Sequence, residues 1–84
     1  MADEDKYYDP MVYDVMRELA TRLGGIYIAR ARAATTTEDE ERWRQADRDL
    51  MAEVRAVTAM DLNAVKEMTA TLRERLLAAR ESAA

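Results

Sequence analysis

The chain has 84 residues, contains no cysteine and no histidine, and carries 13 basic and 17 acidic side chains, for a formal net charge of −4. A chain of this length forms one domain, and the missing residue types exclude disulfides, the usual zinc ligand sets and acid–base catalysis by histidine. A domain this small has a stability of only about 5 kcal/mol and often gains more by binding a partner.

The first predicted helix begins at Asp9-Pro10, because aspartate caps helices well and proline is favoured at the first helical position. Apolar residues then recur at spacings of three and four, at Val12, Val15, Leu19, Leu23 and Ile26. The phase is unchanged through Gly24-Gly25, which favours one helix over residues 10–34. In the alternative, the glycines end the helix in a left-handed cap. We expect residues 1–8, which include Tyr7 and Tyr8, to form a flexible acidic tail.

A second helix is predicted over residues 38–57. Thr37 and Glu40 have the capping-box spacing, and the acidic run from Glu38 to Glu41 suits the positive end of a helix dipole. The apolar stripe of this helix is Trp43, Ala46, Leu50, Val54 and Val57.

A third helix is predicted over residues 61–81, capped by Asp61, with Thr58 as an alternative start. Its stripe is Leu62, Val65, Thr69, Leu72, Leu76 and Ala79. Residues 82–84 are expected to fray. The sequence therefore predicts an all-α three-helix bundle with antiparallel neighbours over residues 9–81. Because no glycine or proline follows Gly25, fusion of the second and third helices into one long helix is the alternative.

A second row of apolar and small residues lies beside the stripe of the first helix. It consists of Tyr13, Ala20, Gly24, Tyr27 and Ala31. A helix that is apolar over so wide a sector is buried on more than one side. This row is therefore a candidate interface for a homodimer or for another protein, and its burial under the other helices of the same chain is the alternative.

Two charged clusters invite functional interpretations. Arg44, Arg48 and Arg55 share a face of the second helix and are candidate contacts for an anion or nucleic acid, although acidic residues between them favour a salt-bridged, solvated face. Glu38 and Glu41 have the first spacing of the ExxE and ExxD pairs in all-α metal-dependent nucleotide pyrophosphohydrolases, but no ExxD follows. We therefore expect no metal and no cofactor.

Arg30 is unusual because it falls in the centre of the first helix's stripe. Either the helix has left the core at this point, or the guanidinium pairs with an acid, for example in the run from Glu38 to Glu41.

These observations favour a small non-enzymatic module that binds a protein, such as an adaptor, inhibitor or regulator, of a size and acidity common among phage and mobile-element proteins. The partner would be a second copy, another protein, or both. A DNA-associated or antitoxin-like regulator that uses the second-helix arginines is the alternative, and a metal-dependent nucleotide hydrolase is a more distant one. The acidic pI disfavours nucleic-acid binding. No signal peptide or membrane span is evident, so we expect a cytoplasmic protein.

Overall fold

The computed structural model describes residues 9–83, which form three helices: α1 (Pro10–Ala33), α2 (Thr37–Arg55) and α3 (Leu62–Ala83). The described residues contain no strand, so the predicted all-α three-helix architecture is confirmed. Helix α1 continues through Gly24-Gly25 as predicted, and the break between Arg55 and Leu62 shows that fusion of α2 and α3 was wrong. The predicted acidic tail at residues 1–8 lies outside the described residues.

Short polar side chains cap the start of each helix. Asp9 Oδ1 accepts a hydrogen bond from the Met11 amide at 2.9 Å. Asp61 Oδ1 accepts one from the Ala64 amide at 3.0 Å. Both caps were predicted from the sequence.

The cap of α2 differs from the predicted one by a single residue. Thr36 has an extended backbone (φ −126°, ψ 153°), and its hydroxyl accepts a hydrogen bond from the Asp39 amide. Thr37 is already helical, so the predicted capping box of Thr37 and Glu40 is wrong. Because all three residues before Glu38 are threonines, residue preference alone does not distinguish which of them is the cap.

Helix α1 is the central helix, and both α2 and α3 pack mainly against it. The ring of Tyr27, late in α1, stacks on that of Trp43, early in α2, so these helices run antiparallel. Arg30, also late in α1, donates a hydrogen bond to the carbonyl oxygen of Ala79 near the end of α3. Helices α1 and α3 are therefore parallel, as an up-down-up arrangement requires.

The core lies along the two sides of α1 that meet α2 and α3. Its largest fully buried side chains are Met16, Leu23, Leu50, Val65 and Leu72. Burial of each such side chain stabilises the fold by about 1.5–3 kcal/mol. The predicted stripes of α2 and α3 supply Leu50 and Val65 and most of the remaining buried positions, so period and phase were correct for both helices.

Candidate functional site

The second row of α1, predicted as a candidate interface, is covered by α2 of the same chain. Ala20 is 3% exposed and Ala31 is 1% exposed. Gly24 is buried, while Tyr13 and Tyr27 are half-buried. Most of this row therefore packs within the chain, as the intrachain alternative expects, while Tyr13 and Ala20 also line an open cleft with Met51.

Gly24 explains why α2 covers this row. A Cβ placed on Gly24 would lie 2.9 Å from Asp47 Oδ1 and 3.4 Å from the terminal methyl carbon of Met51. The Asp47 carboxylate would have to move to make room for a side chain here, so glycine suits this close approach. The small residues of α1 thus let α2 approach at short range, which commits this side of α1 to intrachain contact.

The predicted core stripe of α1 is less buried than the row beside it. Among its five residues, only Leu23 is fully buried. The other four are half-buried at the edge of the core: Val12, Val15, Leu19 and Ile26. Apolar surface therefore remains open to solvent on the flank of α1 that α2 does not cover.

This open flank forms one wall of a cleft between α1 and α3, which we call the α1/α3 groove. The cleft has a volume of about 300 Å³ and is lined by Val12, Val15, Lys66, Thr69, Ala70 and Arg73. Ala70 is exposed. Leu77, one heptad beyond Ala70 on the same edge of α3, leaves 60% of its surface exposed. The groove thus exposes mainly apolar surface, and Leu77 is an exposed leucine beyond its lining residues on the same edge of α3.

Three cations follow the edge of this groove at intervals of seven residues. They are Lys66, Arg73 and Arg80, all exposed, and we call them the basic row. Within residues 9–83, none of the three forms an ion pair or a side-chain hydrogen bond. The reason is visible in the sequence, because no acidic residue lies three or four positions before or after any of them. Sequence reasoning missed this row, although the absence of acids at these spacings could have revealed it.

Two of the predicted arginine contacts on α2 form ion pairs, unlike the cations of the basic row. Arg44 pairs with Glu40 at 3.0 Å, and Arg48 pairs with Glu41. Arg55, the third predicted anion contact, forms no ion pair within the described residues and lines a separate cleft beside Arg17. The three arginines therefore do not form one free cationic surface.

Arg30 has a structural partner that the sequence did not suggest. Its Nη2 donates hydrogen bonds to the Ala79 carbonyl oxygen at 2.7 Å and to the Ser82 hydroxyl at 2.9 Å. Its guanidinium also lies over the Trp43 ring, 4.9 Å from the centroid. The acidic partner, one of the two alternatives for Arg30, is not found; the carbonyl oxygens at the end of α3 carry partial negative charge and accept from the guanidinium instead.

One ion pair joins α2 to α3 within the described residues. Arg75 donates hydrogen bonds to both carboxylate oxygens of Glu53. These bonds raise the pKa of the Arg75 guanidinium above its ordinary value and outweigh the opposing effect of partial burial. The pair links α2 to α3, and Arg75 also lines an open cleft with Tyr27 and Trp43.

Among residues 9–83, no cluster of three or more acidic side chains is placed to hold a metal ion. None of the three helices is long and apolar enough to cross a membrane. Comparisons with protein-family models, curated proteins and solved structures found no match to this chain. The functional hypothesis therefore starts from the α1/α3 groove, where apolar surface and unpaired cations meet.

Proposed function

We propose that the protein is a non-enzymatic helical module that binds another protein through the α1/α3 groove. The observation that carries the proposal is the coincidence of solvent-accessible apolar surface with unpaired charge along one edge. Val15 and Ala70 supply apolar surface, Leu77 extends it, and the basic row borders it. Apolar surface rimmed by polar groups marks protein interaction sites, and an apolar groove between helices commonly accepts a partner helix.

The charge distribution supports a protein partner over a nucleic acid. Arg44 and Arg48 are already paired with carboxylates on their own helix, so binding phosphates would require breaking those pairs. Overall, acidic groups exceed basic groups by four, and a duplex would be repelled by most of the surface. The basic row alone contains too few cations for sequence-independent DNA binding, whereas three cations suffice to orient a protein partner.

The proposal is tested by replacing Leu77 with glutamate in a tagged full-length chain. Leu77 is 60% exposed and lies one heptad beyond Ala70, so Leu77→Glu removes apolar contact area without disturbing the core. Met60→Glu is the matched control. Met60 is 83% exposed in the loop before α3, and its replacement by glutamate introduces the same charge. Both variants are expected to retain helicity and thermal stability close to those of the wild type.

The readout is quantitative mass spectrometry of proteins recovered from cells of the source organism by each tagged variant. A partner that binds in the groove is recovered with the wild type and with Met60→Glu and is lost with Leu77→Glu. Recovery of the same proteins in the same amounts by all three chains would overturn the proposal. Loss with both variants would point instead to a general charge effect and would also count against the groove.

A further inference from the structure

We infer that the occupant of the α1/α3 groove is an amphipathic helix with acidic residues along one edge of its apolar stripe. This inference rests on the proposed function and adds the chemistry of the partner. It is carried by the basic row, whose three cations lie on one edge of the groove and have no ion-pair partner within residues 9–83.

The spacing of the basic row matches the repeat of a helix. Lys66, Arg73 and Arg80 are separated by seven residues, which corresponds to about 10 Å along the axis of α3. Positions seven apart on a partner helix have the same spacing and remain on the same edge. An acidic residue in each of three consecutive heptads of the partner would therefore face one cation of the row.

Helix α1 does not supply these acids. Next to the basic row it presents Val12 and Val15, and the row of half-buried residues to which they belong continues through Leu19 and Ile26. In helical bundles, charged residues that flank the apolar seam select the partner helix by pairing across the interface. Here α3 provides the flanking charges on one side only, and a helix lying in the groove would provide the other side.

A membrane surface fits this face less well than a helix does. Each cation of the basic row is followed immediately by a glutamate, at Glu67, Glu74 and Glu81, all exposed. Lys66 and Arg73 line the cleft, whereas the glutamates lie about 100° further round the helix and are not among its lining residues. A flat anionic membrane would meet both charges together, whereas a helix seated between α1 and α3 would lie against the cations that line the cleft.

A second copy of the chain is also a poorer occupant. A two-fold interface places the same surface of each protomer against its counterpart. The edge of the groove would then bring the basic row of one protomer near that of its partner, and none of the residues that line the cleft is acidic to offset the repulsion. Charge complementarity therefore favours a different, acidic chain.

The inference is tested with two synthetic peptides and the full-length protein. The acidic probe is a fluorescein-labelled peptide of three heptads with leucine at the a and d positions and glutamate at the e and g positions. The control probe has lysine in place of each glutamate. We expect the acidic probe to bind at least about tenfold more tightly in fluorescence polarisation, and its affinity to fall as ionic strength rises from about 0.02 to about 0.5 M.

Charge reversal of the protein provides the decisive comparison. The triple variant K66E/R73E/R80E changes exposed side chains only, so its helicity and unfolding midpoint serve as folding controls. It is expected to bind the lysine probe at least about tenfold more tightly than the glutamate probe, which inverts the preference of the wild type. Leu77→Glu is expected to weaken binding of the acidic probe by the wild-type chain.

Each remaining outcome contradicts the inference. Equal binding of both probes, or binding of neither, excludes an acidic helix as the occupant. Binding of vesicles containing about one third anionic lipid, weakened by the triple variant, identifies a membrane surface instead. Self-association that Leu77→Glu abolishes identifies a second copy. If Leu77→Glu still releases a cellular partner while charge reversal has no effect, the proposed function stands and only the acidic chemistry of the partner is wrong.

Discussion

Gly24 of α1 and Asp47 of α2 lie so close that a Cβ on Gly24 would come within 2.9 Å of Asp47 Oδ1. The neighbouring Gly25 has no atom within 4 Å of the same position. Two adjacent glycines in one helix therefore have different roles. Gly24 allows α2 to approach, and Gly25 faces solvent without a packing function.

The two glycines should respond differently to alanine. Gly25→Ala is expected to raise the free energy of unfolding by about 1 kcal/mol, because alanine is the better helix former and the added methyl meets nothing. Gly24→Ala should gain less than about half of that, since Asp47 and Met51 must shift. In an Asp47→Ala background Gly24→Ala should regain most of the difference. Urea denaturation measures the free energy of unfolding of the three single variants and of the double variant. Equal gains in stability at the two glycines would contradict the close approach of α2 to Gly24.

The cap of α2 provides a second matched pair. Thr36→Ala is expected to lower the free energy of unfolding by about 1 kcal/mol, because it removes the hydroxyl that accepts a hydrogen bond from the Asp39 amide. Thr37→Ala should change stability by less than about 0.5 kcal/mol, since Thr37 is a helical residue outside the cap. Thermal unfolding followed by circular dichroism compares the two. A larger loss of stability with Thr37→Ala than with Thr36→Ala would support the capping box predicted from the sequence.

Arg30 is expected to stabilise the contact between α1 and the end of α3. Arg30→Met keeps the aliphatic stem but removes the hydrogen bonds to Ala79 and Ser82 and the cation over Trp43. The expected loss is about 1–2 kcal/mol, accompanied by a change in tryptophan emission. Arg32→Met is the control, because Arg32 is exposed, and its effect should stay within about 0.5 kcal/mol. Equal losses would show that Arg30 acts only through its charge near the helix end.

The Glu53–Arg75 pair should contribute little and depend on salt. Both side chains are about 40% exposed (43% and 39%), and pairs of this kind contribute about 0.2–1 kcal/mol. Glu53→Gln is therefore expected to cost at most about 1 kcal/mol at low ionic strength and less at about 1 M sodium chloride. A loss that persists at high salt would indicate packing of the side chain instead of charge pairing.

Much of the fold could be predicted because helical periodicity and capping residues are local properties. The start of α1 at Pro10 and the break before Leu62 follow from Asp9 and Asp61, whose side chains need only nearby amides. The orientation of α1 could not be predicted, because both of its apolar rows have the same period. Only the distance between Gly24 and α2 distinguishes them, and that distance depends on the whole bundle.

The candidate site was only partly visible in the sequence. Arg44 and Arg48 stand out in the sequence because several arginines lie close together in α2. Their charges are neutralised, however, by ion pairs with Glu40 and Glu41. The basic row is sparse and depends on the absence of acids at neighbouring helical positions, which a search for clusters does not detect. Its position beside Val15 follows from the parallel arrangement of α1 and α3, which is a tertiary property.

The most direct test of the α1/α3 groove as a binding face is a titration of the isotopically labelled protein with the acidic helical peptide, followed by amide chemical shifts. The structure predicts the largest changes at Val15, Ala70 and Leu77, with little change at Ala52 and Arg48 on the exposed side of α2. Changes centred on α2, or no changes at peptide concentrations up to about 1 mM, would contradict the account.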